Sequence, residues 1–218
     1  RLVIAGLDGP VRRLIVTHFH PDHLGLATWL MAETGAELWM TTGEFLTAHA
    51  VWNEVGGHGA RFMVEQFRQH GLEAGRLAKF EKRGSGYRLA VPALPEYYHR
   101  LKAGDAVAVD GKKWRILIGH GHSPEHMALY CAELGVLISG DMLLPKISTN
   151  ISVFAATPEA DSLGWFLESL QELAREILMN EQDFHSSSMP RCARSFTSAL
   201  RFSSLIVPRR SASSTASR

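Results

Sequence analysis

The stretch Thr17-His18-Phe19-His20-Pro21-Asp22-His23-Leu24-Gly25 follows directly on the apolar run Leu14-Ile15-Val16 and packs three imidazoles and a carboxylate into six residues. Such density is the mark of a metal site. Imidazole nitrogen and carboxylate oxygen suit a borderline divalent ion such as zinc, and a turn leaving a strand can aim alternate side chains into one pocket. A lone His-x-His would carry far less weight; the added Asp-His pair and the strand-to-turn setting sharpen the reading.

Two further stretches lie downstream, Gly119-His120-Gly121-His122-Ser123-Pro124-Glu125-His126 and Leu137-Ile138-Ser139-Gly140-Asp141. The first segment resembles the opening metal motif of the metallo-β-lactamase-fold hydrolases, a superfamily that includes glyoxalase II-like thioesterases, lactonases and zinc-dependent nucleases. The second is similar to that family's Gly-His-Thr-Pro-Gly-His signature, which supplies a third histidine. The last resembles its strand-end aspartate, which bridges two metals. All three stand in the family's order between about Val11 and Leu144.

The resemblance implies that His18, His20 and His122 ligate one metal, that Asp22 and His23 ligate the second, and that Asp141 lies between the two. It favours His122 over His120 as the third histidine, because His122 is the one placed before Ser-Pro-x-His. His126 opens the apolar run Met127 to Cys131 and is read as structural, donating a hydrogen bond that orients its neighbours. Two cations a few ångströms apart lower the pKa of a bridging water from ~16 to roughly neutral and polarise a substrate carbonyl or phosphoryl oxygen. A serine or cysteine nucleophile is then unnecessary. Neither Cys131, inside a strand pattern, nor Cys192, in a polar tail, reads as catalytic, and no Gly-x-Ser-x-Gly or glycine-rich phosphate loop occurs.

Composition is that of an ordinary enzyme. In 218 residues, 45% hydrophobic content and a formal charge of +1 allow one sizeable core and show no bias toward nucleic acid or membrane. Two cysteines make no disulfide framework, and no apolar run approaches the ~20 residues of a membrane span. A cytoplasmic setting and a small-molecule substrate are the expectation.

Apolar spacing predicts alternating strands and helices: strands over Val11 to Thr17 and Glu37 to Thr41, and helices over Leu24 to Glu33, Phe45 to Val55 and Arg61 to His70. Gly35 closes the first helix. The basic, glycine-containing segment Lys79 to Arg88 reads as a loop. A hairpin joins Ala106 to Val109 with Trp114 to Ile118 across Asp110-Gly111, and another strand pair flanks Gly135. Leu163, Phe166, Leu167, Leu170, Leu173, Ala174 and Ile177 recur at helical spacing as a core face. The family resemblance turns this path into an α/β fold, a four-layered αββα sandwich with the metals at one rim of two packed sheets, incomplete at both ends.

Residues 1–182 read as that domain, with 44–101 as a helical cap insertion and 183–218 as an atypical tail. The insertion carries Trp52, Phe62, Phe67, Phe80, Tyr87, Tyr97 and Tyr98, which serve either an aromatic lid that sets specificity or helices packing a small core of their own. Lys79, Lys82 and Arg83 could meet a substrate anion or form a solvated face. After Gln182 the composition turns to serine and arginine, consistent with a disordered or frame-shifted end, and His185 is the only later histidine for the family's last ligand position. The implied activity is metal-dependent hydrolysis of a thioester or other activated ester by a metal-bridged hydroxide, with two divalent ions, zinc before iron or manganese. The alternatives are an oxidoreductase resembling the persulfide dioxygenases, which hold one iron, and an inactive fragment lacking its last ligand.

Overall fold

Alternation along the strands sets the layers. In the computed structural model of the protein, which describes residues 10–84 and 86–181, β1 (Arg13–Ile15), β2 (Glu37–Met40) and β3 (His99–Arg100) form a parallel sheet in that order. Successive strand residues face opposite ways. Leu38 and Met40 therefore enter one cluster with Val16, Phe19, Leu24, Ala27, Ala48 and Val91, whereas Ile15 and Trp39 pack against Leu101, Val107, Ile116, Met127 and Leu129.

The second sheet is antiparallel: β4 (Ala106–Val109), β5 (Lys112–Gly119), β6 (His126–Cys131) and β7 (Val136–Ile138). Here Ile116, Met127 and Leu129 share the cluster of the first sheet, and Leu117, Ala128 and Tyr130 share one with Leu173, Ala174 and Ile177 of the long C-terminal helix, α7 (Ser162–Glu181). All six residues of β6 are buried, as a central strand covered on both faces requires. With α2 (Ala27–Thr34) and α3 (Thr42–Trp52) on the outer side of the first sheet, the order is helix, sheet, sheet, helix, the expected αββα sandwich. Truncating one such buried leucine or isoleucine to alanine costs about 2–5 kcal/mol.

Local signals placed several boundaries. Asp110 and Gly111 both adopt positive φ (51° and 72°), the requirement of a type I′ hairpin, and Gly35 ends α2 at φ 70° with its N–H on the Met31 carbonyl. The helix expected from Leu24 is instead divided into α1 (Pro21–Leu24) and α2, and at Gly25, between them, the chain passes the backbone of Ala90 so closely that a Cβ would lie 2.4 Å from its carbonyl oxygen.

The loop expected over Lys79 to Arg88 is a correction. α4 (Ala60–Gln69) is followed by α5 (Ala74–Arg83) and the single turn α6 (Tyr87–Ala90). Alanine, leucine, lysine, glutamate and arginine are good helix formers, and the charged residues are simply the wet face of an amphipathic helix. Leu77 is its buried residue, and Phe80 meets Phe67 of α4 at 5.2 Å between ring centroids. On α7 the expected core face holds from Phe166 to Ile177, but Leu163, in the first turn, is 58% exposed. No helix among the described residues is long and apolar enough to cross a membrane. His185, Cys192 and the tail after Gln182 lie outside the described residues.

Candidate metal centre

Both sheets deliver their chain ends to one rim. Val16 and Thr17 continue β1, with the Val16 N–H on the Trp39 carbonyl and the Met127 N–H on the Thr17 carbonyl, so the first histidine loop starts where the two sheets meet. Pro21 at the first position of α1 ends that loop with a preset φ. The second loop leaves β5 at Gly119 and returns at His126 in β6, and Asp141 follows β7 in a 3₁₀ turn, Gly140–Met142.

Three ring nitrogens converge. His18 Nε2 lies 3.0 Å from His20 Nδ1 and 3.2 Å from His122 Nε2. His122 Nδ1 donates to the Asn150 carbonyl at 2.8 Å, which fixes its tautomer and leaves Nε2 as a lone pair facing His18. Asp141 divides its carboxylate: Oδ2 lies 3.6 Å from His122 Nε2, and Oδ1 lies 3.3 Å from His23 Nε2, which in turn is 3.6 Å from Asp22 Oδ2. Two donor sets result, His18, His20, His122 and Asp141, and Asp22, His23 and Asp141, with the atoms of each set within 4.8 Å of one another. Neutral imidazoles and carboxylates gathered this closely fit divalent cations, and either set could hold one.

Electrostatics keep the rings in the form that ligates. Burial, then the neighbouring histidines, hold His18 far below the usual imidazole value. Burial, followed by His122, lowers His20 to about 4, against opposing pulls from Asp22 and Asp141. Burial and His122 take His126 down to about 3. A neutral imidazole is a ready ligand.

All six residues expected at the metals meet here, and His120 does not: it is exposed, with Nδ1 donating to the Pro124 carbonyl at 2.7 Å. His126 orients a neighbour, but in the opposite sense to that expected, since its Nε2 accepts the Asp141 N–H at 3.1 Å. Its Nδ1 is buried with no protein partner.

Sequence reasoning missed Glu44. This residue is fully buried, and its carboxylate accepts the Phe19 N–H at 2.9 Å, the Ser123 hydroxyl at 2.7 Å and the Glu125 N–H at 2.7 Å. Burial pushes it up to about 7, against those three donors, which favour the ionised form. The one available signal was Thr41-x-x-Glu44 at the start of α3, a capping-box spacing whose side chains are both diverted to the second histidine loop.

A cleft of about 420 Å³ borders that second loop. Gly121, Ser123, Pro124, Phe154 and Trp165 are among its walls, which include no lysine, arginine or carboxylate. The residues of the expected lid divide. Trp52 donates to the Val91 carbonyl and packs in the core beside α3, and Tyr98 stacks on Phe45 at 4.1 Å, whereas His58, between α3 and α4, faces Phe154 at 6.4 Å.

Comparison with known proteins bears on the family and the fold. The family model described as the metallo-beta-lactamase superfamily matches residues 3–179. A beta-lactamase domain protein from Burkholderia ambifaria is 44% identical over 76% of this chain, with a TM-score of 0.66. A metallo-beta-lactamase family protein from Thermus thermophilus is 29% identical over 89% of it, with a TM-score of 0.65. The chain spans 46% and 61% of the lengths of these two structures.

Proposed function

The chain belongs to the metallo-beta-lactamase superfamily, and from that premise we propose that it is a metal-dependent hydrolase of the glyoxalase II-like kind, acting on a thioester or other activated ester. The observation that carries the reading is the divided carboxylate of Asp141, one oxygen beside His122 and the other beside His23. His18, His20 and His122 would hold one cation, Asp22 and His23 the second, with Asp141 between them, and zinc is the metal the donors suit best, ahead of iron or manganese. Such a pair supplies a water acidic enough to ionise near neutral pH and a Lewis acid for the substrate's carbonyl oxygen.

The chain's own groups orient this chemistry. The Asn150 carbonyl fixes the His122 ring, and the His126 ring holds the Asp141 backbone. Asp22, whose side chain is 75% exposed, presents its carboxylate toward the open face, where it can orient the attacking water and accept its proton. The cleft on the second histidine loop, walled by His120, Gly121, Ser123, Phe154 and Trp165 with no lysine, arginine or carboxylate, suits a neutral acyl or aromatic portion of the substrate. In this proposal residues 1–182 form one catalytic domain, and 44–101 is its helical insertion. Support comes from Gly57, where an added Cβ would stand 2.8 Å from Ala156, placing the insertion against the loop that carries Phe154.

Elemental analysis of the purified protein, alongside a thioester, lactone and phosphodiester panel, tests the reading. Two equivalents of metal and preferential thioester cleavage are expected. One equivalent of iron without hydrolysis would favour the persulfide dioxygenase-like alternative, and no bound metal would favour the inactive one. Asp141→Asn keeps the shape but removes a charge between two cations, so the second metal should be weakened more than the first. Normal loading of both metals in that variant would remove Asp141 from the bridge.

A further inference from the structure

We propose that Glu44 is the positioning residue of the metal centre, a single carboxylate that fixes the two histidine-bearing loops relative to each other. The inference rests on the metal-centre reading above and adds a residue outside both donor sets. Phe19, whose N–H it accepts, is the link between His18 and His20, and Ser123, whose hydroxyl it accepts, directly follows His122. Glu44 is thus one bonded residue away from all three histidines of the first set.

The surrounding bonds make the clamp reciprocal. Glu125 donates its N–H to Glu44 and accepts the Gly43 N–H on its own carboxylate at 2.7 Å, while the Thr41 hydroxyl donates to the Glu125 carbonyl at 3.0 Å. Gly43 leaves room for this, since a Cβ there would come within 2.8 Å of the Glu125 side chain. On the other side of the same peptide segment, the Tyr87 hydroxyl donates to the Phe19 carbonyl at 2.6 Å, so residue 19 is held at both its N–H and its C=O.

Energetics argue that this carboxylate is not merely filling space. Among the described residues no lysine, arginine or histidine forms an ion pair with it, and its three partners are neutral donors. Burying a carboxylate without a counter-charge is expensive, and an apolar side chain would fill the volume at lower cost. What an apolar side chain could not do is hold two loops, drawn from residues 25 and 79 positions away, in one geometry. Residues that orient metal ligands in this way typically alter metal affinity about 10–100-fold when removed.

Glu44→Gln is the direct test. The amide keeps one oxygen and replaces the other by a donor, which must face one of the three donors that Glu44 now accepts. Zinc affinity, measured by competition with a chelating dye, should fall about 10–100-fold in Glu44→Gln. Ser123→Ala, which removes one of the three bonds, should show a smaller fall and serves as the deciding variant if Glu44→Gln does not fold. Leu173→Ala, on the core face of α7, should lower the Tm of the metal-free protein without changing zinc affinity. Unchanged affinity in Glu44→Gln, or in Ser123→Ala where that variant decides, overturns the positioning role while leaving the metal centre intact. An equal loss of affinity in Leu173→Ala also overturns it, by showing that general destabilisation suffices. A wild-type protein that takes up no zinc overturns the metal-centre reading, and this inference with it.

Discussion

The rim at residues 17–25 and the helical pair α4–α5 at residues 60–83 are held by opposite means. At the rim, backbone and ring atoms are fixed by buried partners from distant parts of the chain: Glu44 on the Phe19 N–H, Tyr87 on the Phe19 carbonyl, and His122 against His18. In the helical pair, the links are the Phe67–Phe80 contact, the buried Val64 and Leu77, and an exposed cluster in which Arg68 pairs with Glu65 and Glu81. The first arrangement tolerates little displacement, because each bond also sets the position of a candidate ligand. The second is held by contacts of its own, and none of these reaches a candidate ligand.

The comparison breaks most decisively at His20. His20→Ala removes one of three converging nitrogens, so tightly bound metal should fall below the wild-type stoichiometry and hydrolysis should be lost, by a factor of about 10³ or more if the centre supplies the activated water. Full metal content by elemental analysis in that variant would mean that the rim is not a ligand site.

A smaller effect concerns the metal-free protein in acid. His20 at about 4 and His126 at about 3, both lowered by burial, bind fewer protons folded than unfolded, where the reference value is 6.5. Stability should therefore fall as pH drops from about 6.5 toward 4, with His18, lowered for the same reason, adding to the slope. Glu44, raised by burial to about 7 from 4.5, opposes this across part of that window, but one group stands against three. Thermal unfolding of chelator-treated protein at several pH values should show the decline, and a Tm that is flat or rises on acidification would contradict it.

The smallest change belongs to the helical pair. Arg68→Ala removes two exposed ion pairs and should cost less than about 1 kcal/mol, with zinc affinity unaltered. A large drop in Tm, or any change in metal affinity, would mean that α4–α5 is coupled to the rim after all.

Legibility follows the same division. The first ligand candidates, His18 to His23, could be read because coordination chemistry restricts residue type and concentrates it in a short loop, whereas His122 and Asp141 are picked out by the resemblance of their stretches to the family's later motifs. The strands and helices could be read because apolar spacing is local, but the order of the layers comes from the resemblance of the three motifs to a known family, since spacing along Leu38, Trp39 and Met40 does not say what either face packs against. Glu44 was illegible because each of its bonds reaches far along the chain, two of them to backbone amides that carry no sequence signature. The α5 error had another origin, in that the basic residues and the glycines at 84 and 86 outweighed the three-residue spacing of Leu77 and Phe80. Trp52 and Tyr98 show that aromatic content alone does not mark a lid, because their polar atoms are bonded within the core beside α3.

The bond from the His122 ring to residue 150 uses a main-chain carbonyl, and the Asn150 side chain turns instead to the Ser152 hydroxyl at 3.1 Å. The His122 ring is thereby indifferent to what residue 150 is, provided the chain keeps its path. Natural drift or a protein engineer could rewrite side chains along this loop, Phe154 included, and so reshape a wall of the cleft without retuning the imidazole.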